Sequence, residues 1–331
     1  MATAPTLLPG ADGELQEALM SGLAAVDVRL RQVVDHDDPF IAEAAGHLSS
    51  AGGKRFRPLL TLLSAQVAGP INDRVIDAAV GVELTHLASL YHDDVMDEAE
   101  LRRGVQSANV RYGNATSILV GDLLFGTASS VIADLGAEAV KIQAETFVRL
   151  CSGQIRDERP PADGDDAIEH YLGVLADKTG SLIATAARYG AMFGGARPEV
   201  VTTLTAFGEQ LGTVFQLADD LLDISSDLQV SGKMPGADLR EGKVTLPVLY
   251  ARSMTRPQDV RLIELLSGPV ADPAEVAEAV GLLREHPAMN AAREHTARLA
   301  AQTRSLIDDL GSGPAPDALR SLVDGVADRA Q

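Results

Sequence analysis

The segment that decides the fold is VIDAAVGVELTHLASLYHDDVMD, residues 75–97. Most of it is apolar, which is typical of a helix buried inside a bundle, and it ends in the aspartates Asp93, Asp94 and Asp97. Residues four apart in an α-helix lie on the same face, about one turn from each other. The spacing therefore predicts that Asp93 and Asp97 share a face with Asp94 beside them, so that three carboxylates converge on one small space.

The same pattern recurs in FQLADDLLD, residues 215–223, as Asp219, Asp220 and Asp223. A single such motif is as easily a solvated acidic helix end, but a second copy on an apolar helix disfavours that interpretation. Clustered carboxylates repel one another unless a cation joins them, and hard oxygen ligands suit Mg²⁺. Because Mg²⁺ is normally bound by one or two carboxylates together with substrate phosphates, two motifs predict several Mg²⁺ ions around a polyphosphate.

Basic residues lie beside these acidic motifs although the chain is acidic, with 28 Lys and Arg against 47 Asp and Glu and a net charge of −19. Glycines let the backbone approach an anion, and Lys and Arg donate to phosphate oxygens. The candidates are Lys54, Arg55 and Arg57 in GGKRFRP, Arg102 and Arg103 before Gly104, Lys178 with Thr179 in ADKTGS, and Lys233 and Lys243 after the second motif.

Composition favours an all-α protein. Hydrophobic residues make up 46% of the 331 residues, but aromatic residues only 4% with no Trp, as expected for helices packed through Ala, Leu and Val. We expect a single domain over residues 1–331, with residues 1–13 as a flexible N-terminal segment. The acidic surface would repel nucleic acid, and the lone Cys151 excludes a disulfide framework.

Helical periodicity and Gly, Pro or Asp breaks divide the chain into elements, and no segment reads as a strand. Residues 118–125 and 181–192 are apolar on nearly every face, so we expect both at the centre of the bundle. The predicted helices are a pair over 14–47, then 57–67, 71–97, 107–135, 137–155, 167–193, 198–225, 246–251 and shorter C-terminal ones.

The sequence predicts a cytoplasmic protein. Residues 1–13 lack the basic start and apolar run of a signal peptide. No apolar stretch looks long and charge-free enough to span a bilayer, so any membrane contact should be peripheral.

In their order along the chain the motifs resemble those of trans-type isoprenyl (polyprenyl) diphosphate synthases, of the medium- and long-chain bacterial type. The resemblance runs from Gly52 to Pro247 and implies one large all-α bundle around a deep central cavity, the isoprenoid synthase fold, usually as a homodimer. The motifs are GGKRFRP, HDDVMD followed by RRG, GDLLF, KTG, FQLADDLLD and GADLREGKVTLP.

The resemblance also implies roles for single residues. The six motif aspartates would bind Mg²⁺ and an allylic diphosphate. That diphosphate would also be held by Arg102, Lys178 (counted with the aspartates as catalytic), Thr179, Gln216 and Lys233. Lys54, Arg57, His86 and Arg103 would instead bind isopentenyl diphosphate. Without the resemblance, His86 would read as a hydrogen-bonded core residue. Gln154 and Asp157 depart from the family's usual GExxQ pattern, so their role stays open, and we treat Tyr91 and Tyr171 as packing residues.

The expected reaction is elongation of farnesyl or geranylgeranyl diphosphate with isopentenyl diphosphate. Ala88, Ser89 and Thr85, which precede the first motif, are small where short-chain enzymes place an aromatic residue. This favours an all-trans hexaprenyl to decaprenyl product for quinone side chains. The alternatives are a shorter-chain farnesyl or geranylgeranyl synthase, a class I terpene cyclase, a regulatory subunit and a non-enzymatic acidic scaffold.

Overall fold

The computed structural model describes residues 13–226, 235–254 and 256–330, which form helices joined by short loops. The first half contains α1 (Gly13–Val33), α2 (Pro39–Ser50), α3 (Phe56–Ala65), α4 (Asp73–Met96), α5 (Ala108–Tyr112), α6 (Asn114–Ala133) and α7 (Ala137–Asp157). The second half contains α8 (Ala167–Leu175), a π-helical turn (Ala176–Gly180), α9 (Ser181–Phe193), α10 (Pro198–Ser225), α11 (Ala237–Glu241), α12 (Leu246–Ser253), α13 (Val260–Leu265), α14 (Pro273–Glu285), α15 (Pro287–Ser305) and α16 (Pro314–Ala327). The all-α prediction is confirmed.

Helix α4 lies at the centre, because its two sides belong to different hydrophobic clusters. Val82 packs in the larger cluster with α3, α9 and α10. Leu84 and Leu87 pack in a second cluster with α2 and α6. Each buried leucine stabilises the fold by about 1.5–3 kcal/mol, so α4 is held on both sides and its C-terminal aspartates are fixed in place.

Helices α3 and α9 approach each other closely. A Cβ atom added at Gly190 would lie 2.1 Å from the carbonyl oxygen of Thr61, so only glycine fits there. This contact holds the middle of α3 against the C-terminal part of α9.

Helix α6 and the segment before it correct three expectations. The element predicted over 107–135 is two helices, because Gly113 adopts φ 83° between α5 and α6. Residues 118–125 are not buried all round, since Ile118 and Leu119 are 44% and 66% exposed. Among the described residues, α6 is also the one helix long and apolar enough to cross a membrane. The expectation of no such stretch was therefore wrong, although α6 packs along α4 as a bundle helix.

The prediction of no strand was also wrong, by one short hairpin in the described chain. Leu101–Arg102 pairs with Val105–Gln106 in antiparallel register, and Arg103 and Gly104 form the turn with positive φ.

At the N-terminus, Gly13 already belongs to α1, so the predicted flexible segment does not include it. Residues 1–12 lie outside the described part.

Candidate active site

The first aspartate motif closes α4, and its middle residue points away from its neighbours. Asp94 is fully buried; Arg102 donates to its Oδ1 at 2.6 Å and the backbone N–H of Ala108 to its Oδ2 at 3.2 Å. Successive residues of an α-helix are rotated by about 100°, so Asp94 cannot share the face of Asp93 and Asp97. It anchors the hairpin and α5 instead.

Asp93 and Asp97 lie on the open side of the same turn. Burial raises the pKa of Asp93 from 3.8 to about 6, against the charge of Lys178, the next largest influence. Arg102 reaches the motif from the hairpin, with its Nη2 3.8 Å from an oxygen of Asp97. A carboxylate whose negative charge is disfavoured by burial is stabilised by a bound cation.

The second motif repeats the burial of its middle residue. Asp220 is 3% exposed, accepts hydrogen bonds from the hydroxyl of Tyr171 and from Gln216 Nε2, and has its pKa raised to about 7, first by burial and then by Asp238. Asp223 accepts from the backbone N–H groups of Ala237 and Asp238 at 3.0 and 3.1 Å, and so holds the start of α11.

The expectation that three carboxylates of each motif converge is therefore wrong. In residues 13–226, 235–254 and 256–330, no group of three or more His, Cys, Asp or Glu side chains is arranged to hold a metal ion by itself. Asp93 and Asp97 present hard carboxylate oxygens on the open side of α4, and such oxygens suit Mg²⁺ completed by phosphate oxygens and water.

Lys178 and Thr179 lie in the π-helical turn Ala176–Gly180, within the segment predicted as one helix over 167–193. Lys178 Nζ lies 2.7 Å from Asp157 Oδ2 at the end of α7. Thr179 donates to Gln216 Oε1 at 3.4 Å, and Gln216 in turn donates to Asp220. Such π turns occur often at functional sites, and here the turn connects the first motif to the second.

The π turn is held from behind by α7 and α10. Arg149 of α7 contacts Asp177 at 2.9 Å and Glu209 of α10 at 2.8 Å, and Arg156 contacts Asp177 at 3.0 Å. A Cβ at Gly153 would lie 2.5 Å from the backbone nitrogen of Lys178, so α7 touches the turn directly.

A pocket of basic residues surrounds His86, which lies two turns before Asp93 on the same face of α4. Burial lowers the pKa of Arg57 to about 10, and its Nε is buried without a hydrogen-bond partner. His86 has its pKa held well below 6.5, by burial first and then by Arg57, Arg103, Arg102 and Arg55, so its imidazole is neutral. Three of the four residues predicted for isopentenyl diphosphate thus lie together, and Lys54 is exposed on the adjoining loop.

Lys243 lies between the two motifs. Burial alone would lower the pKa of Lys243. A hydrogen bond to Glu241 and the charges of Glu241, Asp97 and Asp238 outweigh this effect, so the pKa is raised overall. The lysine therefore lies near the first motif and near α11 at once. Lys233, the other predicted lysine of this loop, lies outside the described residues.

Sequence reasoning missed several residues of this site. Tyr171 was assigned to packing, but its hydroxyl binds Asp220. Tyr91, by contrast, packs in the second hydrophobic cluster as expected, and its hydroxyl donates to the carbonyl of Ala44. Asp157 was left without a role and pairs with Lys178, and Asp238 lies close enough to raise the pKa of Asp220. The only sequence signal for Asp238 was its place in the GADLREGK motif.

The chain-length positions are separated by the structure. Thr85 lines a small enclosed cavity with Ile132, Gln143 and Tyr189, about large enough for one water molecule. Ser89 is half-buried one turn above and donates to the carbonyl of His86. Ala88 instead packs in the second hydrophobic cluster.

Comparison with known proteins extends the similarity to the whole chain. The profile of the family described as Polyprenyl synthetase matches residues 38–283. Nonaprenyl diphosphate synthase of Mycobacterium tuberculosis is 47% identical over 334 residues, with 99% of both chains covered.

Solved structures agree in fold. Geranylgeranyl pyrophosphate synthase from Corynebacterium glutamicum, complexed with calcium and isoprenyl diphosphate, has a TM-score of 0.87 at 40% identity and covers 98% of this chain and 99% of its own. Decaprenyl diphosphate synthase from Rhodobacter capsulatus has a TM-score of 0.87 at 32% identity and covers 96% and 99%. The likeness thus includes the helices around the motifs as well as the motifs themselves.

Proposed function

The chain belongs to the polyprenyl synthetase family, and from this we propose that it condenses isopentenyl diphosphate with an allylic diphosphate, farnesyl or geranylgeranyl, into an all-trans polyprenyl diphosphate. It is a prenyltransferase. One observation carries the substrate assignment: Lys178 lies close enough to Asp93 to influence its pKa, while Arg57 lies with His86 in a second basic group, about two turns before Asp93 along α4. Two diphosphate substrates require two groups of cationic residues, one for each diphosphate.

The allylic diphosphate is assigned to the space between the motifs. Asp93, Asp97 and Asp219 are assigned to the cation, and Lys178 and Arg102 are assigned as donors to the remaining phosphate oxygens. Asp94, Asp220 and Asp223 complete the six predicted ligands, but their hydrogen bonds to protein favour a supporting role. Thr179 and Gln216 are assigned to the same diphosphate, and the family resemblance assigns Lys233 to it as well.

Isopentenyl diphosphate is assigned to Lys54, Arg57, His86 and Arg103. The buried Nε of Arg57 needs an acceptor, because a buried polar group without a partner costs free energy. A neutral His86 can donate one hydrogen bond to a phosphate oxygen. The pocket adjoins the first motif, since the charge of Asp93 also influences the pKa of Arg57, so the two substrates would bind next to each other, as their condensation requires.

Mg²⁺ is the proposed cation, with several ions in each site. Dependence on a divalent metal is supported by the carboxylate oxygens of the site and by the relative crystallised with calcium and isoprenyl diphosphate. When bound, Mg²⁺ would neutralise the charge that develops on the leaving diphosphate.

The protein's own residues position the reaction. Lys178 and Arg102 hold the allylic diphosphate as its carbon–oxygen bond breaks, and their cationic groups favour the charge that grows on the departing oxygen. The double bond of isopentenyl diphosphate then attacks the allylic cation, and a proton leaves to the released diphosphate. Buried apolar residues of α4 and α9 exclude water while the cation exists.

We propose a product in the hexaprenyl to decaprenyl range, for quinone side chains, and a geranylgeranyl or farnesyl product is the alternative. The relatives support both, since a nonaprenyl and a geranylgeranyl synthase are among them. In the structure, Thr85 lies one turn before Ser89 on α4 and lines a small cavity with Ile132 and Tyr189. A long tail must displace these side chains, so they, with Ser89 and Ala88, are the residues that limit length.

The enzyme is proposed to act as a homodimer in the cytoplasm. Helix α6 exposes Ile118, Leu119 and Leu123, and α7 exposes Val148 and Ile155. The two helices are joined by the stacked rings of Phe125 and Phe147, 3.8 Å between centroids. An apolar surface of this kind on a bundle is typical of a subunit interface. Release of a long apolar product calls for peripheral contact with a membrane.

The test is incubation with Mg²⁺, farnesyl diphosphate and labelled isopentenyl diphosphate, followed by chromatography of the dephosphorylated products. Label in polyprenols longer than the primer is expected, and a chelator should abolish it. A terpene cyclase would convert the primer without using the label. A regulatory subunit or an acidic scaffold would leave both substrates unchanged, and either result would overturn the proposal.

A further inference from the structure

We propose that Glu83 is a positioning residue of the isopentenyl diphosphate pocket, a buried carboxylate that holds the surrounding arginines in their binding arrangement. The inference rests on the proposed function, because it concerns the pocket assigned above to that substrate. Glu83 lies on α4, almost one turn before His86, and is 2% exposed. No motif of the sequence singles it out.

The contacts of Glu83 reach both segments that build the pocket. Arg55, from the loop before α3, donates to its Oε1 at 2.8 Å. Arg103, from the hairpin turn, places Nη2 3.8 Å from the same oxygen. For both Arg57 and Arg103, burial is the largest influence on the pKa and lowers it, while the charge of Glu83 is the next and raises it. The negative charge of this one carboxylate therefore stabilises three guanidinium groups.

The backbone at these arginines is in an unfavourable conformation. Among the described residues, three that are not glycine have positive φ, namely Arg55 at 47°, Glu98 at 48° and Arg103 at 53°. Two of these three are the arginines bound to Glu83. A left-handed conformation is disfavoured for residues with a Cβ, and it persists where the surroundings hold it. The ion pairs to Glu83 are part of what holds both turns.

The two turns also meet directly. Arg103 donates to the carbonyl oxygens of Leu48 at 3.0 Å and Gly52 at 2.5 Å. A Cβ at Gly53 would lie 2.9 Å from Arg103 Cζ, so the guanidinium lies against this glycine. Because Glu83 binds the arginines on both sides of this contact, it fixes the distance between the loop of Lys54 and Arg57 and the turn of Arg103.

Removing the charge of Glu83 should therefore loosen the pocket. Like charges in a poorly solvated site repel strongly, and a buried cation that loses its partner is destabilised. A neutral side chain at position 83 would let the guanidinium groups move apart. Glu83 itself faces arginines and not substrate, so its effect on the reaction is indirect.

The experiment compares Glu83→Gln with Asp27→Asn in the full-length enzyme. Asp27 also pairs with Arg55, at 2.9 Å, but its side chain is 41% exposed and it is the matched control. Steady-state kinetics would give KM for each substrate, and calorimetry would give Kd for isopentenyl diphosphate alone. For Glu83→Gln we expect both KM and Kd for isopentenyl diphosphate to rise about tenfold or more, which corresponds to about 1.4 kcal/mol, while KM for the allylic substrate stays constant. Asp27→Asn should leave all three constants near those of the wild type.

Glu83→Asp is the second variant, because it keeps the charge with a shorter reach. It should bind isopentenyl diphosphate more tightly than Glu83→Gln and more weakly than the wild type, and it serves alone if Glu83→Gln does not fold. Unchanged Kd in the folded variants, or an equal rise of both KM values, would overturn the positioning role. Failure of the proposed function is a separate result, since the wild-type enzyme itself would then not bind or incorporate isopentenyl diphosphate.

Discussion

The ammonium of Lys178 lies 2.7 Å from the carboxylate of Asp157, and it is also close enough to Asp93 to influence the pKa of that residue. Lys178 comes from the π turn, Asp157 from the end of α7 and Asp93 from the end of α4. The ion pair holds the lysine at the mouth of the site and directs its charge toward the first motif.

Lys178→Met should lower kcat/KM for the allylic substrate by about 10- to 100-fold, because a hydrogen bond to a charged group contributes about 1.5–3 kcal/mol. KM for isopentenyl diphosphate should not change. Lys141→Met is the control, since Lys141 is 76% exposed on α7 and pairs with Glu145. Steady-state kinetics with each substrate varied in turn would measure both constants. A similar loss for both substrates would place Lys178 outside the allylic site.

The aspartates of one motif should behave differently from one another. Asp93→Ala or Asp219→Ala should remove most turnover while circular dichroism still shows the helical fold, because these side chains are assigned to the metal. Asp94→Ala should also lower the melting temperature, because it leaves Arg102 and the N–H of Ala108 without a buried acceptor, at about 1–3 kcal/mol. Full activity of Asp93→Ala would contradict the metal assignment.

Stabilisation by Mg²⁺ should depend on pH. The pKa of Asp93 is raised from 3.8 to about 6 in the folded protein. Between these two pH values the carboxyl is ionised in the unfolded chain but still protonated in the fold, so the stability of the metal-free fold falls as pH rises. Mg²⁺ requires the ionised carboxylate. Its addition should therefore raise the melting temperature more at pH 8 than at pH 5, and Asp93→Asn should weaken this difference. Equal shifts at both pH values in the wild type would contradict the assignment.

Product length should respond to Ser89. A phenylalanine there would enter the half-buried face that leads from Asp93 to the cavity of Thr85, so Ser89→Phe should shift products toward farnesyl or geranylgeranyl diphosphate. Ala88→Phe should shorten products less and should cost about 1–3 kcal/mol of stability, since it overpacks the second cluster. Chromatography of dephosphorylated products and thermal melts check both. If only Ala88→Phe shortens the product, the tail follows another face of α4.

The apolar surface of α6 should hold the subunits together. Leu119→Asp introduces a charge where the side chain is 66% exposed in the monomer, so light scattering should show a shift toward monomer. Leu282→Asp on α14, where the leucine is 37% exposed, is the control and should remain dimeric. If light scattering gives both variants the mass of a dimer, the interface lies elsewhere.

The sequence by itself determined the helices and the two aspartate motifs. Helical periodicity is a local property, so the predicted elements over 71–97 and 198–225 became α4 and α10 with small changes at their ends. The spacing of Asp93 and Asp97 likewise fixed their common face. The family resemblance added the grouping of Arg57, His86 and Arg103, which no local pattern contains.

Only the tertiary structure decided which aspartates are buried and which side chains support the site. Asp94 and Asp220 are aspartates like their neighbours in the motifs, so the sequence does not distinguish them. In the fold they point inward and accept hydrogen bonds from Arg102 and Tyr171. Glu83 and Asp157 gained their roles from arginines and a lysine 20 or more residues away. The exposed apolar face of α6 was read as core for the same reason. Burial and charge pairing depend on contacts between distant segments, and helical periodicity carries no information about those contacts.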